Sequence, residues 1–252
     1  MKAPIGRIGG KFRLSKRLVA LFPNNYESYI EPFIGGGSVF YRSKKVGKEV
    51  INDLDTDIYL IHKGLRDEDG INERFRRELT KEEFIDIRNK TDTVSLLEKY
   101  KHSFMAKGEF YQDRMKNIGK VDKNGRPCYR KKCTTDFSVY KPRLEGVIIK
   151  NEDYKDIIKE YDDENAFFYL DPPYENSKKS TGGAYIEIDY NELVDILKQL
   201  KGKFILSIND SKNIRELFKD FKIQELETKY VGLNQSKGGA TIKTVELVIM
   251  NF

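Results

Sequence analysis

Apolar residues recur along this chain in two rhythms. Short uninterrupted runs predict buried strands at Tyr29-Ile30, Val50-Ile51, GVIIKN (146–151), AFFYL (166–170) and KFILSIND (203–210). The five-residue run AFFYL suits a strand covered on both faces, as in a parallel sheet. Between these runs, YKDIIKEY (154–161), NELVDILKQLK (191–201) and SKNIRELFKDF (211–221) read as helices. Strands alternating with helices predict a doubly wound, mostly parallel α/β sheet. The last two strands, IQELETKYV and TVELVIMNF, are joined by a stretch containing Gly238-Gly239 without a helical pattern, and so predict an antiparallel hairpin.

The first unit carries the most information. EPFIGGGSVFYRSKK reads as strand, tight glycine turn and helix, and Val50-Ile51 then runs into the acidic NDLD. A carboxylate about 20 residues beyond a glycine turn is the spacing of a dinucleotide-type unit, in which the acid accepts ribose hydroxyls. From 58 to 140 the rhythm changes. Ile61, Leu65, Phe75, Leu79, Phe84, Ile85, Leu96 and Leu97 suggest short helices, followed by the basic stretch KGEFYQDRMKNIGKVDKNGRP. The expected organisation is therefore an α/β domain of residues 1–57 and 141–252, interrupted by an inserted, mainly helical lobe at 58–140.

Charge separates these parts. The net charge is only +6, yet residues 101–150 hold 13 Lys and Arg against 5 Asp and Glu. Lys107, Arg114, Lys116, Lys120, Lys123, Arg126 and Arg130 lie there, with Phe104, Phe110, Tyr111 and Tyr129 interleaved. Cations that neutralise phosphates and rings that stack on bases are what a nucleic-acid surface requires, although a solvated basic loop has the same composition. With 38% hydrophobic and 34% charged residues the chain has the profile of a soluble globular protein. No run approaches the ~20 apolar residues of a membrane helix, and MKAPIGRIGGKFRL has no secretory apolar segment, so a cytoplasmic, nuclear or viral setting is expected. The two cysteines, Cys128 and Cys133, form no CxxC pair, and no metal site is expected.

Asp171-Pro172-Pro173-Tyr174 follows the AFFYL strand, at the edge where open α/β sheets bind ligands. The lone pair of a base amine is delocalised into its ring, so the nitrogen is planar and a weak nucleophile. A carboxylate from Asp171 and a fixed carbonyl from Pro172, both accepting its N–H bonds, would draw it towards tetrahedral geometry. Two prolines stiffen the loop and remove two donors. Tyr174 offers a face on which an extruded base can stack. A plain strand-end turn capped by Asp171 is the alternative.

GGK (9–11), EPFIGGGSVFY (31–41), INDLD (51–55), RLEGVIIKNEDY (143–154), FFYLDPPY (167–174) and GKFILSIND (202–210), in this order, resemble the Dam-type, D12 class, α-group of N6-adenine DNA methyltransferases, particularly its phage-like members. The resemblance covers most of the chain. It implies a Rossmann-like methyltransferase fold, S-adenosylmethionine as methyl donor, double-stranded DNA as substrate, base flipping and direct in-line transfer to N6 of adenine. Cytosine-N4 or RNA amine methylation, and a noncatalytic DNA-binding relative, are the competing readings. Restriction–modification or viral self-marking is the implied setting; a homodimer is left open, and no obligate protein partner is expected.

Carried over by position, the resemblance assigns catalysis to Asp171, Pro172 and Tyr174. It assigns the methionine-side pocket to Glu31, Phe33, Gly35 and Gly37, the ribose to Asp53, and the border of the cofactor's adenine to Asp153 and Tyr154. Lys11 would lie near the methionine carboxylate or the target base, while Arg7, Gly9, Gly10, Ser38 and Asp171 complete the cofactor contacts and Ser207 and Asn209 line the pocket. Arg7-Ile8 stands where the family commonly has an aromatic before GGK. The central lobe matches the family least and does not reproduce the recognition hairpin of the bacterial GATC enzymes.

Overall fold

The computed structural model describes residues 1–7, 9–112, 133–174, 188–230 and 242–252. Its strands are β1 (Ser28–Glu31), β2 (Lys48–Asn52), β3 (Ile148–Lys150), β4 (Ala166–Leu170), β5 (Lys203–Asn209), β6 (Lys222–Tyr230) and β7 (Ile242–Met250). They form one sheet in the order β3-β2-β1-β4-β5-β7-β6. The first five are parallel neighbours, and β7 runs antiparallel between β5 and β6. This is the doubly wound, Rossmann-like architecture expected, closed at one edge by the predicted hairpin. The Gly238-Gly239 connection lies outside the described residues.

The helices are α1 (Ser15–Val19), α2 (Thr56–Asp67), α3 (Ile71–Arg74), α4 (Lys81–Ile87), α5 (Thr93–His102), α6 (Tyr140–Leu144), α7 (Tyr154–Tyr161), α8 (Tyr190–Gln199) and α9 (Lys212–Leu217). None is long and apolar enough to cross a membrane. Side chains alternate across a strand, and here the alternation divides the core in two. Tyr29, Ile51, Phe167, Tyr169, Ile205 and Val248 face one cluster with Ile58, Ile61 and Leu65 of α2, Leu96 and Leu97 of α5, and Leu144 of α6. Ile30, Val50, Phe168, Leu170, Leu206 and Leu247 face the other, with Ile157 of α7, Leu193 of α8 and Ile214 of α9. A buried side chain of this size contributes about 1.5–3 kcal/mol, so both faces of the continuous AFFYL run are needed.

One expected element is different. The segment after the glycine turn is not a regular helix but a series of turns from Ser38 to Ser43. The carbonyl of Phe40 accepts from Ser43 Oγ at 2.8 Å and from Arg143 Nη2 at 3.1 Å. Arg143 also forms a two-pronged ion pair with buried Glu49, at 2.5 and 2.9 Å. A guanidinium held in this way occupies an acceptor that a propagating helix would use, and tertiary pairing overrides the local pattern.

The order of the strands fixes where a site can form. The chain leaves β1 outward to β2 and β3, then returns to the other side of β1 for β4 and β5. The reversal lies between β1 and β4, and open α/β sheets bind ligands at the carboxyl ends of strands at such a point. Glu31 ends β1, Asp53 follows β2, Asp171 follows β4 and Asn209 ends β5. Antiparallel β7 brings Glu246 to the same edge, directly opposite Asn209.

Candidate active site

The centre of the site is a buried lysine between two carboxylates. Lys11 Nζ donates to Asp171 Oδ1 at 2.5 Å, to the Tyr174 hydroxyl at 3.1 Å and to the Gly9 carbonyl at 3.2 Å. It also pairs with Glu246 Oε1 at 3.2 Å and lies 4.8 Å from the centroid of the Tyr174 ring. The Tyr174 hydroxyl in turn donates to Glu246, 2.9 Å from Oε2. Side-chain exposure is 2% for Lys11 and 1% for Glu246, but 21% for Asp171, so Asp171 and half-buried Tyr174 are the members of the group that are open to a ligand.

Burial pushes the Asp171 carboxyl up to about 6, against the pull of Lys11 and with a further push from Glu246. Burial alone would lower the pKa of Lys11, but the two carboxylates outweigh it and hold the ammonium above the ordinary lysine range. Behind this group, Tyr29 donates to Glu31 at 2.5 Å. Burial pushes Glu31 well above the usual carboxylate range despite that bond, and Asp171 adds to the shift. The Tyr169 hydroxyl bonds Ser207 Oγ at 2.7 Å. The loop after Asp171 is anchored from α8, where the Tyr190 hydroxyl donates to the Pro173 carbonyl.

A second group surrounds the glycine turn. Gly35, at φ 48°, donates its N–H to Asp53 Oδ2 at 2.8 Å, while Asp55 N–H donates to Oδ1 at 2.9 Å. Burial raises Asp53 to about 6, opposed by Arg7 and these two amides. The Gly35 carbonyl bonds His62 Nε2 at 2.9 Å, and His62 Nδ1 bonds the Tyr41 hydroxyl at 2.8 Å. At Gly36 an added Cβ would stand 2.7 Å from the Ile5 carbonyl oxygen, so the N-terminal segment carrying Lys11 lies directly against the turn.

The residues singled out from the sequence fall into these groups to different degrees. Lys11, Gly9, Asp171 and Tyr174 come together with Glu31 behind them, and Gly35 meets Asp53. Phe33 and Tyr154 pack on one another, with ring centroids 5.1 Å apart and planes at 34°. Asp153 caps α7 by accepting from Lys155 N–H at 2.9 Å. Arg7 pairs with Asp55 at 2.9 Å and reaches the Tyr100 hydroxyl at 3.3 Å, and its carbonyl accepts from Gly10 N–H at 3.1 Å. Ser38 is half-buried in the turn that follows Gly37. Asn209 Oδ1 is buried without a partner among the described residues. Lys107 is half-buried and follows a single helical turn at Phe104–Ala106. Arg114, Lys116, Lys120, Lys123, Arg126, Arg130 and Cys128 lie outside the described residues.

His62, Tyr169, Tyr190 and Glu246 are among the residues of the site to which the sequence alone gave no role. Two carried a signal. Glu246 is the acid in the otherwise apolar run ELVIM, and His62 interrupts the Ile58, Ile61, Leu65 stripe of α2. A charge or imidazole inside such a pattern is costly unless partnered. Tyr169 and Tyr190 look like ordinary core aromatics in sequence.

Comparison with known proteins is consistent with this geometry. The family model described as D12 class N6 adenine-specific DNA methyltransferase matches residues 8–231. The type II methyltransferase M1.LlaDCHI of Lactococcus lactis subsp. cremoris is 28% identical over 97% of this chain and 93% of its own length. The type II methyltransferase M.CviBI of Paramecium bursaria Chlorella virus NC1A is 25% identical over the whole of both chains. The type II methyltransferase M.MjaIII of Methanocaldococcus jannaschii is 27% identical over 97% of this chain and 96% of its own.

Proposed function

Because the chain belongs to the D12 class of N6 adenine-specific DNA methyltransferases, we propose that it methylates N6 of an adenine flipped out of double-stranded DNA, with Asp171-Pro172-Pro173-Tyr174 as the catalytic loop. The observation that carries this reading is the Asp171 carboxylate at the strand-order reversal, followed by two prolines and open to a ligand while the Lys11 and Glu246 side chains behind it are buried.

The residues present fit S-adenosylmethionine. A carboxylate has about four lone-pair sites, so the two amides on Asp53 leave each oxygen able to accept a ribose hydroxyl. No atom lies within 4 Å of where a Cβ would sit at Gly9 or Gly35, which leaves space along the backbone for a ligand. Phe33 and Tyr154 provide an aromatic wall, with Asp153 beside them. When bound, the cofactor supplies an electrophilic methyl group.

The chain's own task is to activate a poor nucleophile. Asp171 and the Pro172 carbonyl accept the two N–H bonds of the amine, localising its lone pair, and Tyr174 stacks on the extruded ring. The nitrogen loses one proton as it gains a methyl group, and the raised pKa of Asp171 suits it to receive that proton. We assign residues 1–57 and 141–252 to catalysis and the expected insertion 58–140 to target recognition except for α2 and α5, which pack on the sheet and supply His62 to the glycine turn, with Lys107, Arg114, Lys116, Lys120, Lys123, Arg126 and Arg130 neutralising phosphates.

The test is transfer of labelled methyl from S-adenosylmethionine to DNA, followed by nucleoside analysis. N6-methyladenine is expected. N4-methylcytosine, label confined to RNA, or DNA binding without cofactor binding or transfer would each overturn the reading.

A further inference from the structure

Lys11 presents a difficulty for the catalytic loop as it stands. Its ammonium holds Asp171 Oδ1 at 2.5 Å and leaves Oδ2 open, but a carboxylate whose charge is drawn onto an ammonium is a weak acceptor for the target amine it must activate. A buried ammonium is not released into an apolar interior without a partner, because an unpaired buried charge is strongly unfavourable. The second partner is already present. Glu246, 1% exposed, lies 3.2 Å from the same Nζ and holds the Tyr174 hydroxyl at 2.9 Å, and that hydroxyl in turn accepts from Lys11 at 3.1 Å.

We propose that Glu246 is a positioning residue for methyl transfer: it takes a greater share of the Lys11 ammonium, through a small movement and with the Tyr174 hydroxyl as a shared contact, and thereby strengthens Asp171 as the acceptor of the target amine. The inference rests on the functional reading above. Glu246 lies on β7, beyond the residues 8–231 that match the family model. Its bond to Tyr174 also sets the angle of the ring on which the base stacks, so one carboxylate serves both halves of the target pocket.

Lys11, Glu246, Tyr169 and Glu31 are the charged and titratable groups that act on Asp171, with Tyr174 joined to them through Lys11. Removing the charge of Glu246 leaves Lys11 wholly to Asp171, and a like charge no longer opposes ionisation of Asp171. Asp171 then becomes a stronger acid in the free protein, and the amine competes less well for it.

The experiment compares wild type, Glu246→Gln and Glu246→Asp for single-turnover methyl transfer, for affinity towards S-adenosylhomocysteine and DNA, and for the Asp171 carboxyl titration by ¹³C NMR without ligand. Glu246→Gln is expected to slow transfer on the order of 10- to 100-fold, to change both affinities by less than about threefold, and to lower the Asp171 pKa. Glu246→Asp, which keeps the charge one methylene short, should recover part of the rate. If the Gln variant fails to fold, the Asp variant is read in the same assays, with a smaller loss of rate and no fall in the Asp171 pKa expected. An active wild type with an equally active Gln variant, or an unchanged Asp171 titration in that variant, overturns the role of Glu246 alone. A wild type that transfers no methyl group overturns the functional reading and this role with it.

Discussion

His62 donates from Nε2 to the Gly35 carbonyl at 2.9 Å, while its Nδ1 accepts from the Tyr41 hydroxyl at 2.8 Å. A carbonyl can only accept, so Nε2 must carry the hydrogen, and because burial lowers the pKa to about 4 the ring is neutral near pH 7 and Nδ1 is left to accept. The Gly35 peptide is thus held at both ends, its N–H by Asp53 from β2 and its carbonyl by His62 from α2.

Replacing His62 by Leu is expected to leave the Gly35 carbonyl and the Tyr41 hydroxyl unsatisfied and to cost about 1–3 kcal/mol of stability. His62→Gln, whose amide nitrogen reaches the position of Nε2, should recover most of this. Urea denaturation of the three proteins measures it, and equal losses for Leu and Gln would show that the hydrogen bond to Gly35 is not what matters.

The titration of His62 gives a signed prediction. Its folded pKa is depressed, so the unfolded chain binds the extra proton between about pH 6.5 and 4. Stability from the neutral ring is fully present above pH 6.5 and is lost as pH falls towards 4. Asp53 and Asp171, both raised to about 6, have the opposite slope over an overlapping range. The difference between wild type and His62→Gln isolates the histidine, and should fall by about 3 kcal/mol from pH 7 to pH 4. A flat difference would contradict the neutral, buried assignment.

Asp171→Ala is expected to reduce methyl transfer at least ~10³-fold while DNA affinity stays close to wild type, because in the proposed mechanism the carboxylate acts on the amine after base extrusion. In the wild type, transfer should be present above pH 6 and decline as pH falls through about 6, where Asp171 takes up a proton. Filter binding and a pH–rate profile separate these effects; parallel loss of binding and transfer would count against the role.

Gly36→Ala places a methyl group 2.7 Å from the backbone oxygen of Ile5, which no side-chain rotation can relieve. The N-terminal segment must shift away from the glycine turn, carrying Lys11 with it. A loss of about 1–3 kcal/mol in stability and weaker binding of S-adenosylhomocysteine are expected, readable by thermal denaturation and calorimetry.

Neutralising Lys116, Lys120, Lys123, Arg126 and Arg130 together should weaken DNA binding and flatten the dependence of log K on log salt by about 0.9 for each phosphate that is no longer neutralised. An unchanged slope would remove this stretch from the interface.

Much of the candidate site was legible in the chain itself. AFFYL had to be a doubly covered strand because it offers no polar face, and that alone placed Asp171 at a strand end. The glycines before Val39 and the acid Asp53 after β2 announced the tight turn that meets Asp53, because backbone turns and strand ends are set by local chemistry. The helix expected after that turn did not form, because Arg143, about 100 residues away in sequence, takes the Phe40 carbonyl, and local pattern cannot register a distant guanidinium.

What the sequence determined by itself was the alternation of elements and the family to which its motifs belong, both of which are read from neighbouring residues. Only the tertiary structure decided that Lys11 lies between Asp171 and Glu246, 160 positions from Asp171 in the chain. It also decided that His62 grips Gly35 and that antiparallel β7 returns an acid to the edge where the parallel strands end. The physical reason is the same in each case. Hydrophobic periodicity specifies which face of an element is buried, whereas the pairing of buried charges is fixed by strand order and register, which bring together groups that share no local pattern.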